Sequence, residues 1–258
     1  MTSPGARGRR TAVAALTLVL GLLAAGCTTV TQGNGRSAPG LTLGPLEGAL
    51  LYDVLPTEAD MDDILDSPLR EDSEGELSGG VDDMPDGLNS ERRASPHRCV
   101  TAIAPIQRSM YVDTDATEFA SRKWRLPKGE KGDIMGVHAA VVVFPDHAAA
   151  SAAYDEFVKD WQDCDGDTVR LGQLSERDHF VEKINDVRQN KAVAVADILT
   201  SQPSTSISWR RQRALAVRAN CLIEVDVSYY SDKRPPSDLQ DAAAQVADFM
   251  LDRITDVG

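Results

Sequence analysis

The ten residues CLIEVDVSYY at positions 221–230 alternate between apolar and polar side chains. The apolar set is Cys221, Ile223, Val225 and Val227, and the polar set is Glu224, Asp226 and Ser228. A period of two is the repeat of a β-strand, in which successive side chains point to opposite faces. The stretch therefore predicts an antiparallel strand whose apolar face is buried and whose polar face is in water.

Seven stretches upstream also carry strand signals, because β-branched and apolar residues are concentrated in them between turn residues. They cover residues 99–104, 118–126, 137–144, 169–174, 179–187, 192–200 and 207–217. The run VHAAVVVF at 137–144 is largely apolar and is stopped by Pro145. Strands that follow one another without a helix between them favour antiparallel pairing.

Three helices are predicted from capping residues and apolar stripes. They cover residues 58–65, 147–163 and 238–254, and their capping residues are Thr57 with Asp60, Asp146, and Ser237 with Gln240. Residues 67–98 are acidic and rich in glycine, proline and serine, which predicts a long loop. The order of elements predicts an α+β fold, in which one antiparallel sheet packs against helices on one side.

The amino terminus has the pattern of a secretory signal peptide. Three arginines within residues 7–10 precede an uncharged run over 11–25, which is too short for a membrane-spanning helix. The run ends in LAAGC at 23–27, which resembles the lipobox of bacterial lipoproteins, where cleavage before the cysteine leaves a thiol that becomes acylated. We therefore expect a lipid on Cys27; the alternative is an ordinary secretory peptide with an incidental cysteine.

Lipidation at Cys27 would divide the chain into three parts. Residues 1–26 are a signal peptide, residues 27–47 form a flexible tether, and residues 48–258 have the length of a single domain. We expect the mature protein on the outer face of the cell membrane, where its lipid anchor holds it.

The charge of the chain narrows the range of partners. With 27 basic and 40 acidic residues, the net charge is −13. Residues 1–26 hold three of the basic residues and no acidic one, so the mature net charge is −16. Such a chain is not expected to bind nucleic acid, and its folded part is not expected to lie flat on anionic lipid.

If Cys27 is lipidated, three thiols remain in an oxidising compartment, and one of them has no partner. Cys221 lies on the apolar face of its strand and is predicted to be a buried free thiol. Cys99 and Cys164 border their elements, and a bridge between them would be worth about 4 kcal/mol. The residues alone leave the two other pairings and an intermolecular bridge open.

The segments VVVFPDHAAASAAYDEFVKDWQDC at 141–164 and WRRQRALAVRAN at 209–220 contain a Phe-Pro pair, a W-x-x-C and a Q-R-A-L string. Together with LLYDVLPTEADMDDIL and SPHRC upstream, they resemble the extracellular sensor-domain family named after the mycobacterial serine/threonine kinase PknH. The resemblance extends over roughly residues 50–254.

This resemblance implies an antiparallel sheet flanked by helices, a single domain with a large cleft, and a bridge between Cys99 and Cys164. It also implies ligand binding or sensing outside the cell. Members occur as kinase ectodomains and as free lipoproteins; this chain lacks the kinase motifs and is interpreted as a lipoprotein. The family often has a second disulfide, and Arg211 and approximately Ser228 stand where those cysteines would be.

The sequence contains no recognisable catalytic or metal-binding motif. It has no G-x-S-x-G elbow, no H-E-x-x-H helix and no phosphate loop. The four histidines lack ligand spacing, and the acidic stretch at 163–167 lacks the glycine and glutamate of a calcium loop. We therefore expect no catalytic residue, no metal and no cofactor.

The best candidate for a binding site is a basic string in a chain that is otherwise acidic. It consists of Trp209, Arg211, Arg213 and Arg218. On a strand, the first three share one face, where guanidinium groups and an aromatic ring suit an anionic or sugar-like group. The alternative is that the arginines pair with carboxylates at the sheet surface.

The leading functional hypothesis is a lipid-anchored, non-catalytic domain that binds a small molecule, a lipid or an envelope component in its cleft. A cell-envelope hydrolase is one alternative, which requires His138 or His179 beside a serine and a carboxylate. A protein-interaction scaffold is the other, which would show a shallow cleft and an exposed apolar patch.

Overall fold

Ten antiparallel strands form one sheet in the computed structural model, which describes residues 46–172, 179–232 and 235–257. They are β1 (Arg70–Glu71), β2 (Leu77–Gly79), β3 (Ala94–Ser95), β4 (Glu118–Arg125), β5 (Ile134–Val143), β6 (Thr168–Leu171), β7 (Phe180–Asn190), β8 (Val193–Gln202), β9 (Ile207–Arg218) and β10 (Cys221–Tyr229). Their spatial order is β1-β4-β5-β10-β9-β8-β7-β6-β3, and β2 also pairs with β4. The predicted α+β fold with an antiparallel sheet is confirmed.

Six helices accompany the sheet in the described part of the chain. They are α1 (Leu50–Val54), α2 (Glu58–Leu65), α3 (Val100–Ile103), α4 (Arg108–Tyr111), α5 (His147–Asp163) and α6 (Ala242–Val257). The helices predicted over 58–65 and 147–163 are confirmed. Thr57 and Asp60 form the expected capping box, and Asp146 accepts a hydrogen bond from the backbone N–H of Ala149.

Three local predictions are wrong. The predicted strand over 99–104 is a 3₁₀ turn followed by α3, because this apolar run is buried on every side and therefore has no period to reveal its type. The predicted loop over 67–98 contains the short strands β1, β2 and β3. The last helix begins at Ala242, after a 3₁₀ turn over Ser237–Leu239 that lacks the predicted side-chain cap.

The helices cover both faces of the sheet, so the prediction that they lie on one side is wrong. On the face that we call the α6 face, α1, α2 and α6 pack against the sheet around Ile223 and Val225. On the opposite face, the α5 face, α3, α4 and α5 pack around Leu215 and Leu222. Two separate apolar cores result, with the sheet between them.

The strand β10 lies at the centre of this arrangement and is buried on both faces. Glu224 and Asp226 on its polar face are only 3% and 6% exposed, so the predicted half-buried strand is wrong. A buried carboxylate is stable only if it is paired and hydrogen-bonded. Glu224 and Asp226 therefore need buried partners that carry positive charge or donate hydrogen bonds.

The signal peptide and the lipidation of Cys27 predicted at the amino terminus lie outside the described residues, as do residues 173–174 of one predicted strand. The described residues belong to one unit, Thr42–Gly258. None of the helices that the structure describes has the length and apolarity needed to cross a membrane.

Candidate functional site

Residues 97–111, which we call the covering segment, contain α3 and α4 and lie over the α5 face of the sheet. A disulfide between Cys99 and Cys164 joins this segment to the end of α5, which confirms the bridge that the family resemblance implied. Cys221 is a buried free thiol, as predicted, and burial raises its pKa to about 12.

Arg213 holds the covering segment to the sheet from below. Its side chain is fully buried; Nη2 donates to the carboxylate of Glu224 at 2.5 Å and to the carbonyl of Thr101 at 3.2 Å. The other oxygen of Glu224 accepts from the backbone N–H of Ile106 at 2.9 Å and from the hydroxyl of Tyr111 at 2.6 Å. This buried ion pair therefore bonds to three points of the covering segment.

Arg211 makes a second set of buried bonds two residues earlier on β9. It donates to Glu182 on β7 at 2.6 Å, to both carboxylate oxygens of Asp226 on β10, and to the carbonyl of Ile103 at 2.7 Å. Across the β9–β10 pair, Arg211 lies opposite Ser228. The guanidinium thus links two strands and the covering segment.

The buried carboxylates outnumber the guanidinium groups, and this shifts the titration of their neighbours. Burial raises the pKa of Glu182, and the nearby charge of Asp226 adds to the effect. Burial also raises the pKa of Tyr111 well above its ordinary value, together with the charge of Glu224. The Tyr111 hydroxyl therefore remains a donor at every physiological pH.

His138 on β5 lies directly across from Asp226 on β10 and Lys123 on β4. Burial, together with the positive charge of Lys123, lowers its pKa to about 3. Its Nε2 is buried and has no hydrogen-bond partner among the described residues. His138 is therefore a neutral imidazole in the neutral pH range.

A cavity of about 380 Å³ opens beside this charged cluster; we call it the Trp209 cavity. The side chains and backbone that line it are those of Lys123, Trp124, Arg125, Met135, Gly136, Val137, His138, Trp209, Arg211, Asp226 and Ser228. Its volume lies within the range of small-molecule sites in proteins, about 300–1,000 Å³. Trp209 and Arg211 of the predicted basic string both line this cavity.

The residues predicted for the site are distributed over three environments. Trp209 lines the cavity and packs edge-on against Phe180, with ring centroids 5.6 Å apart. Arg211 lines it as well, but all three of its terminal nitrogens are bonded within the protein. Arg213 is buried beneath the covering segment, and Arg218 bonds to the end of α6 on the other face.

Two uncommitted polar groups in the cavity were not predicted. Neither the Lys123 ammonium nor the Ser228 hydroxyl forms a hydrogen bond or ion pair with any described residue. Strand alternation predicts the face of the sheet on which each of these side chains lies. It does not predict that they line one cavity, because that depends on the register of β4, β5 and β10, which the sequence does not give.

The α6 face has a larger cavity, of about 730 Å³, at the other side of the sheet. Its charged residues are largely paired: Arg188 contacts Asp186 at 2.9 Å, Asp241 at 2.8 Å and Asp197 at 3.6 Å. Its lining reaches Pro235, next to residues outside the described part of the chain. We therefore base the functional argument on the Trp209 cavity.

Comparison with known proteins places this fold. A family model described as the PknH-like extracellular domain matches residues 46–253. The crystal structure of the extracellular domain of PknH from Mycobacterium tuberculosis matches with a TM-score of 0.68 and 19% identity, over 83% of this chain and 100% of that chain. The structure therefore shares that fold.

A second solved structure, an uncharacterised protein from Mycobacterium smegmatis, matches with a TM-score of 0.37 and 13% identity, over 76% of this chain and 96% of that chain. No curated protein sequence matches the chain.

Proposed function

Because the chain belongs to the PknH-like extracellular domain family, we propose that it is a non-catalytic, ligand-binding domain of the sensor type, held outside the cell by a lipid on Cys27. The family assignment supports the extracellular location and the sensor type of domain. Ligand binding and the lipid anchor are the parts of the proposal that need direct tests.

The observation that carries the ligand-binding proposal is the Trp209 cavity with its uncommitted polar groups. Lys123 and Ser228 lie in a concave site beside an aromatic ring, which is the combination typical of small-molecule sites. The bonds of Arg211 and Arg213 hold the sheet and the covering segment rigidly beside it. The cavity therefore combines a fixed scaffold with polar groups that a ligand could satisfy.

The anchor proposal is supported by the lipobox-like LAAGC at 23–27. With a net charge of −16 after removal of residues 1–26, the folded domain is not attracted to anionic lipid. A covalent lipid would supply the attachment that the protein surface does not.

A hydrolase would require a serine, a histidine and a carboxylate joined by hydrogen bonds. His138, Asp226 and Ser228 all line the Trp209 cavity, but His138 Nε2 has no hydrogen-bond partner among the described residues and Asp226 is bonded to Arg211. Ser151 Oγ lies 3.4 Å from His147 Nε2 on α5, but His147 Nδ1 lies 2.8 Å from the carbonyl oxygen of Ala219 and not from a carboxylate. This contact is exposed at the surface and lies outside the Trp209 cavity. It does not favour the hydrolase alternative.

The test is native mass spectrometry of the full chain, purified from its membrane in a gentle detergent. We expect a mass excess that disappears on denaturation and is lost in Trp209→Ala, but is kept in the control Arg218→Gln on the other face. The denatured mass should show an acyl modification that is absent from Cys27→Ser. A native mass without excess in any preparation would overturn the ligand proposal, and an unmodified Cys27 would overturn the anchor.

A further inference from the structure

Not every charged side chain around the Trp209 cavity has a direct ion-pair partner. Arg211 is balanced by Asp226 and Glu182, and Arg125 forms an ion pair with Asp72 at 2.8 Å. Lys123 has no such partner among the described residues. Its neighbour across the strand pair, His138, is neutral and supplies no negative charge. The Lys123 side chain therefore lines the cavity without an ion-pair partner among the described residues.

The position of Lys123 is restricted by a nearby loop. Its stem packs against Gly75 so closely that a Cβ on that glycine would lie 2.6 Å from the Lys123 Cβ. The side chain is half-buried, which limits how far its ammonium group can move into bulk water. An anion in the cavity would thus meet a charge that is already directed and partly desolvated.

The floor of the cavity includes Gly136, where the backbone leaves no room for a side chain. This glycine lies between Arg125 and Ser228 in the sheet, and a Cβ there would lie 2.8 Å from the carbonyl oxygen of Trp124. The Ser228 hydroxyl lines this floor without a partner in the described structure. A ligand that fills the cavity therefore needs polar groups besides its anionic one, since an unpaired buried hydroxyl is unfavourable.

The wall of the cavity is the indole of Trp209. Phe180 packs edge-on against this ring at an interplanar angle of 71° and fixes its orientation. A flat apolar ring beside polar groups matches a sugar, which has an apolar C–H face and a rim of hydroxyl groups.

We propose that the Trp209 cavity binds a sugar that carries a carboxylate or a phosphate. Its anionic group pairs with Lys123, its ring stacks on Trp209, and a hydroxyl bonds to Ser228. This inference names the ligand class for the function proposed above and rests on it.

The experiment is isothermal titration calorimetry on the full chain in detergent. The probes are glucuronate and glucose 1-phosphate, which combine a sugar with an anion. Glucose and inorganic phosphate each supply one part alone, and benzoate supplies a ring and an anion without hydroxyl groups. We expect at least one of the two combined probes to bind at least tenfold more tightly than the other three compounds.

Two variants test the named contacts. Lys123→Gln should weaken the combined probes at least tenfold, whereas Lys128→Gln, an exposed lysine outside the cavity, should leave the affinity unchanged. Trp209→Ala should weaken them to a similar extent, and Trp209→Phe, which keeps an aromatic face, should retain most of the affinity. Thermal unfolding of each variant shows whether the domain remains folded.

The outcomes separate this inference from the proposed function. If glucose, inorganic phosphate or benzoate binds as tightly as the better of the two combined probes, the ligand class is overturned. If no probe binds while native mass spectrometry shows a Trp209-dependent bound mass, the class is wrong and the ligand-binding function remains. If neither experiment shows binding, both proposals fail.

Discussion

Both faces of the central strand β10 are buried, but they are held in different ways. On the α6 face, the side chains of β10 are apolar and pack directly against the last helix, with Ile223 and Val225 at the centre. On the α5 face, β10 presents Glu224 and Asp226, which are tied to arginines and through them to backbone groups of the covering segment. At β10, the α6 face therefore packs through apolar side chains, whereas the α5 face adds paired charges to its apolar core.

This difference has a consequence for the cavity. Apolar packing is non-directional and fills space, whereas a hydrogen-bonded ion network fixes groups at particular distances and tolerates a neighbouring polar cavity. The Trp209 cavity lies at the edge of the ionic network, where Arg211 and Asp226 form part of its lining. The charged face is thus suited to place a recognition site next to a rigid support.

The most severe way to break the charged face is to remove one partner of its buried pair. Arg213→Met leaves Glu224 as a buried charge without its counter-ion, and we expect it to lower the free energy of unfolding by about 3–5 kcal/mol. Urea unfolding followed by circular dichroism measures the change.

The double variant Arg213→Met with Glu224→Gln serves as the control for that loss. A glutamine removes the uncompensated charge and can still accept hydrogen bonds from Ile106 and Tyr111, so the double variant should be more stable than Arg213→Met alone. If both variants lose the same free energy, then lost packing and not charge explains the effect.

The covalent attachment of the covering segment gives the next largest effect. The Cys99–Cys164 bridge closes a loop of 65 residues, and its loss in the variant Cys99→Ser with Cys164→Ser should cost about 4 kcal/mol by loop entropy. In Arg213→Met the disulfide still holds the covering segment. In the double cysteine variant, the ion network alone holds it to the sheet. Addition of a reductant should destabilise the wild type but not the variant; an equal response in both would contradict the assignment.

His138 gives the charged face a dependence on pH. Its folded pKa of about 3 is below the ordinary 6.5, so between these values the unfolded state binds a proton that the native state does not. This contribution therefore destabilises the protein as the pH falls from about 6.5 to 3, by at most about 2 kcal/mol at pH 5. In His138→Asn this part of the slope should be missing from urea midpoints measured over that range; the same slope in both proteins would show that other groups cause it.

The sequence predicted the local elements on both faces well. The alternation in 221–230 located β10, and the caps at Thr57 and Asp146 located α2 and α5, because these signals are local and depend only on spacing. The pairing of Cys99 with Cys164 followed from the family resemblance and not from the residues.

The charged half could not be predicted in the same way. An alternating strand with Glu224 and Asp226 looks the same whether its polar side is in water or covered by paired arginines. The decision depends on the register that brings Arg213 beside Asp226 and on a covering segment whose apolar run, 99–104, has no period. Trp209 can be predicted as a site residue because it lies beside the arginines in the sequence. Lys123 on β4 cannot, because only the register of the strands brings it to the same site.

The smallest effect is expected for Arg218, which lies on β9 like Arg213 but on the α6 face. Arg218 donates to the carbonyl of Leu251 at 2.8 Å and to the Thr255 hydroxyl at 2.7 Å near the end of α6, and its side chain is 36% exposed. Water can replace these bonds, and a cation near a helix carboxyl terminus contributes only a few tenths of a kcal/mol to about 1 kcal/mol. We therefore expect Arg218→Met to cost less than about 1 kcal/mol, measured in the same urea series as Arg213→Met. Two arginines five residues apart on β9 then differ in their contribution because one is enclosed with its counter-ion and the other is open to solvent; comparable losses at both positions would remove the distinction between the two faces.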